Sequence, residues 1–114
     1  MNVKSFLVFA VILCFPFTAC TDDNEYTYYY EVTGTAGRYG VSFQDESEDI
    51  VLGGVVGNGW TYTWNQTGKR FLTIIAQSQE REGSVTAKIY KNGKVIAKDT
   101  QSGVFATAAV TGNY

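Results

Sequence analysis

The side chains of this sequence offer little for catalysis. Histidine is absent from all 114 residues, which removes the commonest general base, the Ser-His and Cys-His nucleophile pairs, and the commonest zinc ligand. Asp45, Glu46, Glu48 and Asp49 have the oxygen chemistry of a calcium site, but they lack the spacing and turn glycine of an EF-hand loop and read as a solvated charge run. A pair of carboxylates alone runs glycoside hydrolysis, yet that chemistry needs a deep cleft that one small domain seldom builds. Gly53-Gly54-Val55-Val56-Gly57-Asn58-Gly59 lacks the Lys-Ser/Thr pair and following helix of a phosphate loop, so its glycines read as turns and a bulge. Trp60, Tyr62 and Trp64 alternate on one strand face; they either stack on a sugar ring, with Asn58 and Asn65 beside them, or fill a core. No catalytic residue, metal site or cofactor is therefore assigned, and the chain is expected not to be an enzyme.

The residue whose chemistry is best specified is Cys20. Met1-Asn2-Val3-Lys4 is a positive start, and Phe6 to Phe15 is an apolar run of ten, too short for the roughly 20 residues that cross a bilayer. Pro16 breaks the run, and Phe17-Thr18-Ala19-Cys20 resembles the bacterial lipobox, although Phe17 stands where Leu is usual. Residues 1–19 thus read as a lipoprotein signal peptide and Cys20 as the lipidation site. Several acyl chains, each CH₂ worth about 0.8 kcal/mol, make such an anchor effectively permanent. Residues 20–25 carry Asp22, Asp23 and Glu25 and read as an acidic tether. A lipidated Cys followed by an acidic cluster is similar to the surface-exposed lipoproteins of the Bacteroidetes, which predicts an outer-membrane, surface-exposed protein. The alternative is a periplasm-facing anchor.

Composition supports one domain over residues 26–114 and argues against nucleic acid. Nine Lys or Arg less Lys4 leaves eight, against eleven Asp or Glu, so the processed chain has a formal charge of −3. No basic residue occurs between Cys20 and Arg38, and clustered Lys and Arg are what bind phosphate backbones. Cys14 leaves with the leader, so the domain has no internal disulfide.

The elements that must position these residues are strands. Tyr, Val, Thr, Phe, Ile and Trp alternate from Tyr26 onward, punctuated by glycine and free of proline, the pattern of an all-β sandwich. Tyr28, Tyr30 and Val32 share one face of the first strand; Tyr39, Val41 and Phe43 share one face of the second. Residues 50–56 and 60–65 follow as strands, with Gln66-Thr67-Gly68 turning the chain. Residues 69–79 are expected to be the longest and central strand, with Leu72, Ile74 and Ala76 on one face. Asn92-Gly93 predicts a type I′ hairpin, in whose two-residue register Ile89 faces Ile96 and Tyr90 faces Val95. That register also turns Lys98 onto the apolar face opposite Ala87, so a bulge is expected there. The last strand is expected over residues 104–111. Seven or eight antiparallel strands in this length predict an immunoglobulin-like β-sandwich.

The segment Gly83-Ser84-Val85-Thr86-Ala87-Lys88-Ile89-Tyr90-Lys91-Asn92-Gly93-Lys94-Val95-Ile96, with Ser102-Gly103-Val104-Phe105-Ala106 beyond it, resembles the MmpS family of mycobacterial membrane proteins. Tyr30-Glu31-Val32-Thr33-Gly34 and the aromatic strand at Trp60–Trp64 fit the same layout. The resemblance implies a small β-sandwich on a membrane anchor, serving as an accessory of a large lipid exporter. A lipidated Cys20 in place of a membrane span is one departure from the family. Ala87 and Ala109, near where the family often places paired cysteines, are the other. The expected function is thus a non-catalytic envelope lipoprotein that is an accessory or binding partner of other envelope proteins. The alternative is a glycan-binding module using Trp60, Tyr62 and Trp64, and a third possibility is an adhesive subunit pairing through strand edges. The oligomeric state is left open.

Overall fold

A computed structural model describes residues 24–114; the leader, Cys20 and tether residues 21–23 lie outside the described residues. Eight strands follow one another: β1 (Glu25–Gly34), β2 (Arg38–Gln44), β3 (Ile50–Gly57), β4 (Trp60–Thr67), β5 (Phe71–Ser78), β6 (Ser84–Lys91), β7 (Lys94–Ser102) and β8 (Thr107–Asn113). They form two four-stranded antiparallel sheets ordered β4-β1-β6-β7 and β3-β2-β5-β8. This is the expected all-β sandwich, immunoglobulin-like in architecture and with a strand order of its own.

Alternation decides what faces inward. Tyr28, Tyr30 and Val32 of β1, Tyr39, Val41 and Phe43 of β2, and Leu72, Ile74 and Ala76 of β5 are all buried. Val85, Ala87 and Ile89 of β6 and Ala108 and Val110 of β8 complete the core. The phenols buried with them find acceptors: Tyr28 donates to the Tyr114 carbonyl at 3.1 Å and Tyr30 to the Gln44 carbonyl at 2.7 Å. A buried hydroxyl left unpaired would cost about 1–3 kcal/mol. β8 pairs with β5, the central strand flanked by β2 and β8.

Four details differ from the sequence-based expectation. β4 runs on to Thr67 instead of turning at Gln66, because Gln66 is buried and its Oε1 accepts the Trp64 indole N–H at 2.7 Å. β5 spans eight residues and β1 ten, so the central strand is not the longest. The β6–β7 hairpin has the expected turn, with Asn92 at φ 52° and Gly93 at φ 83°, but its bulge lies nearer the turn, between Ile89 and Tyr90. Tyr90 still pairs with Val95, whereas Ile89 pairs with Ala97 and Lys98 with Lys88. The earlier bulge moves Lys98 off the inner face, where its ammonium would have been buried. β8 likewise starts at Thr107, after a turn through Gly103-Val104-Phe105.

Candidate functional site

Every strand is antiparallel to its neighbours and successive strands alternate direction, so the connections sort into two ends. Asn24 and Tyr114 lie at one end, with the turns at residues 45–49, 68–70 and 92–93. At the other are the turns at residues 35–37, 58–59, 79–83 and 103–106. An anchor preceding Asn24 would hold the first end and present the second.

At the second end the β7–β8 turn carries two large apolar side chains into solvent, Val104 at 66% and Phe105 at 45% exposure. Phe105 holds φ at 47°, a region where a bulky residue is an outlier. Tertiary bonds hold it there: its N–H donates to the Glu80 carbonyl at 3.1 Å, and its carbonyl accepts from Gln77 Nε2 at 3.3 Å. Beside it an open hollow is lined by Thr35, Ala36, Glu80, Arg81 and Glu82, with Arg38 and Glu80 paired at 3.1 Å on its rim. Sequence reasoning placed residues 104 and 105 inside the last strand; the signal against that was Gly103 followed by two bulky residues with no alternation.

Trp60, Tyr62 and Trp64 sit opposite Val32, Tyr30 and Tyr28 of β1, so all three project to the inner face. Trp64 is 5% exposed and lies parallel to Tyr28, with centroids 5.6 Å apart and planes at 13°. Trp60 and Tyr62 are half-buried on the β3/β4 side of the sandwich, each against Phe43. Tyr62 is tilted 41° from Trp64, so the three rings do not form one plane. The exposed Asn58 and Asn65 amides are engaged by Gly34 N–H and Thr27 Oγ1.

Of the acidic residues of the 45–49 turn, Asp45 braces the turn itself, and Glu46 and Glu48 reach neighbouring elements. Asp45 Oδ1 accepts the N–H groups of Ser47 and Asp49 at 2.8 and 3.0 Å. Glu46 accepts the Tyr62 hydroxyl, which with partial burial pushes that phenol up to about 12. Glu48 pairs with Arg70 at 3.7 Å. Among the described residues, no three acids or cysteines converge as a metal site.

The two outer faces differ sharply. On the β4-β1-β6-β7 sheet Glu31 and Lys88 pair at 3.8 Å, Lys98 stands opposite Lys88, and Tyr29 stacks on Tyr90 at 4.1 Å. Tyr90 also donates to Glu31 at 2.9 Å and is pushed up to about 12 by that bond. The outer face of the β3-β2-β5-β8 sheet carries one ionisable side chain, Arg38 at its end, and exposes Leu52 at 82% and Phe71 at 55%. No family model matches this chain, and no curated protein is similar to it.

Proposed function

We propose that this protein is a non-catalytic envelope lipoprotein that presents its β-sandwich to other envelope proteins as an accessory or binding partner. The observation that carries the reading is the separation of ends. Asn24, the first described residue after the acylated Cys20, and the exposed Val104-Phe105 turn lie at opposite ends of antiparallel strands. Eight residues of strand at about 3.3 Å each put the presented turns roughly 25 Å from the anchored end. The outer membrane is the proposed address, with Asp22 and Asp23 favouring its outer surface; the MmpS-like layout makes a transport accessory the specific form of the role.

The test has two arms. Cys20→Ser abolishes incorporation of an alkyne-tagged fatty acid and releases the protein from membranes. Unchanged labelling overturns the anchor. A photo-crosslinker at Val104 in the anchored chain captures a protein partner, and one at Thr63 on the opposite sheet does not; equal capture, or none at either, overturns the presented end. A second reading, sugar binding, is favoured only by the half-exposed rims of Trp60 and Tyr62. It predicts that Trp60→Ala lowers retention on envelope polysaccharide without lowering stability by more than the lost burial.

A further inference from the structure

We infer that the outer face of the β3-β2-β5-β8 sheet, uncharged but for Arg38 at its end, is the interface with a second copy of this chain, packed face to face about a two-fold axis parallel to the strands. The registry is the main reason. Leu52, Ser42, Ile75 and Ala109 form one continuous row across the four strands, because Ser42 pairs with both Leu52 and Ile75, and Ile75 pairs with Ala109. Its relief reads large, small, large, small.

A two-fold axis between β2 and β5, parallel to the strands, reverses this row over itself. Leu52 then lies over the partner's Ala109, and Ile75 over the partner's Ser42. Every large side chain meets a small one, the condition for dense packing between sheets about 10 Å apart. In the next complete row the same operation sets Val55 over the partner's Thr107. An axis perpendicular to the strands would instead set Leu52 on Leu52 and Ile75 on Ile75.

Charge selects the same occupant. The chain carries a formal charge of −2, so two copies repel except where they are neutral, and an isologous contact opposes a patch with itself. The sheet with Glu31, Lys88 and Lys98 on its outside would bring several charges together; this sheet brings only Arg38 near its copy, and Glu80 pairs with that guanidinium at 3.1 Å. A partner of different chemistry would be expected to be selected through complementary charge, for which this face offers only Arg38 at its end.

The area sets the strength. Four strands of seven residues give a footprint of roughly 440 Å² per copy, about half of what each side of a standard interface buries. Such a contact is weak in dilute solution and is sustained by the high effective concentration of molecules confined to one membrane. This last step rests on the anchored reading. It is also consistent with the axis: rotation about a line parallel to the strands leaves their direction unchanged, so both Asn24 ends face one bilayer.

Thiol crosslinking of the full chain in membranes tests this. With the sheets about 10 Å apart and the strands 4.8 Å apart, Ile75 and its copy lie about 11 Å apart between Cα atoms, and Leu52 and its copy about 17 Å. Those distances exceed the reach of a disulfide, about 7 Å, and suit a short bis-maleimide for Ile75 alone. Ile75→Cys should give a dimer of this chain. Leu52→Cys alone should not, Leu52→Cys coexpressed with Ala109→Cys should, and Thr63→Cys on the opposite sheet should not. Ser42→Lys, placing a charge under the partner's Ile75, should abolish the Ile75→Cys dimer at an unchanged unfolding midpoint. Dimer from Thr63→Cys at equal yield, monomer only from Ile75→Cys, a homodimer from Leu52→Cys alone, or a product with a different protein each overturns the proposal. Maleimide labelling of the parent chain reads the anchor separately, since an acylated Cys20 does not label.

Discussion

Gly34 ends β1 at a φ of 155°, and a Cβ built on it would stand 2.1 Å from the Ser84 carbonyl oxygen and 2.7 Å from Tyr39 Oη. The first obstacle is backbone and cannot swing aside; the second belongs to a fully buried ring. Gly34→Ala must therefore separate β1 from the start of β6. That breaks the Thr35 N–H bond to Ser84 O at 3.2 Å and disturbs the Gly37 N–H bond to Tyr39 Oη at 3.1 Å. Two hydrogen bonds at about 1 kcal/mol each and backbone strain of order 1–3 kcal/mol sum to about 3–5 kcal/mol. That is a large share of the roughly 5–14 kcal/mol expected for a domain of this length. Gly37, three residues on, is the control: its φ is 94°, but nothing stands within 4 Å of its Cβ position, so Gly37→Ala incurs strain alone. In urea, followed by tryptophan fluorescence with a slope of about 1 kcal/mol/M, Gly34→Ala should lower the midpoint by about 3–5 M or leave no folded baseline. Gly37→Ala should lower it by about 1–3 M. Equal shifts for the two would refute the view that the Ser84 carbonyl, and not the dihedral, makes glycine necessary at position 34.

Two further outcomes are expected. Gln66→Leu removes the acceptor of the buried Trp64 indole N–H and should cost about 2 kcal/mol; in a Trp64→Phe background, with no N–H to strand, the cost should fall by about half or more in a double-mutant cycle, and additivity would refute the pairing. The phenols of Tyr62 and Tyr90 are raised to about 12, first by their hydrogen bonds to Glu46 and Glu31, against about 10 in the unfolded chain. Between those values the unfolded chain releases protons that the folded chain keeps, so their contribution is complete below about pH 10 and lost as pH rises through about 12. Thermal unfolding midpoints should fall over that window, and Tyr90→Phe should flatten the fall.

Much of the fold is legible from alternation alone, because a strand's two faces are fixed once one residue's side is known. Tyr28, Tyr39 and Leu72 each set their strand correctly. What alternation does not carry is where a strand stops. Gln66 looks like a turn residue, and only the nearby Trp64 nitrogen makes it a core acceptor. Phe105 looks like a strand residue, and bonds to the Glu80 carbonyl and the Gln77 amide, more than 20 positions earlier, hold it in a turn. The hairpin register departs from expectation beyond the Tyr90–Val95 pair for a related reason: Asn92-Gly93 fixes the turn, but the position of the bulge depends on keeping Lys98 out of the core, a matter for the whole sheet. The outer faces were as readable as the inner ones. Leu52, Ile75 and Phe71 stand between inward residues, and the pairing of strands far apart in sequence is what gathers them onto one uncharged surface.

A sheet with so apolar an outside risks open-ended growth through its edges, and the structure of those edges bears on why a closed pair is the expected product. At β8 the Ala109 N–H is taken by Asp99 Oδ2 from β7 at 3.0 Å, which ties the two sheets together on that side. At β3 the ladder to β2 is interrupted by a bulge between Val41 and Ser42, with Gly53 as the extra residue. A Cβ at Gly53 would lie 2.7 Å from Val41 Cγ2 and 3.2 Å from the Phe43 ring, so the bulge presses onto the core. A bulged edge twists away from flat pairing with another strand. Both edges are thus blunted, while the face between them carries Arg38 as its one ionisable side chain. Association through the face is isologous and closes after two copies, whereas association through an edge could repeat without limit.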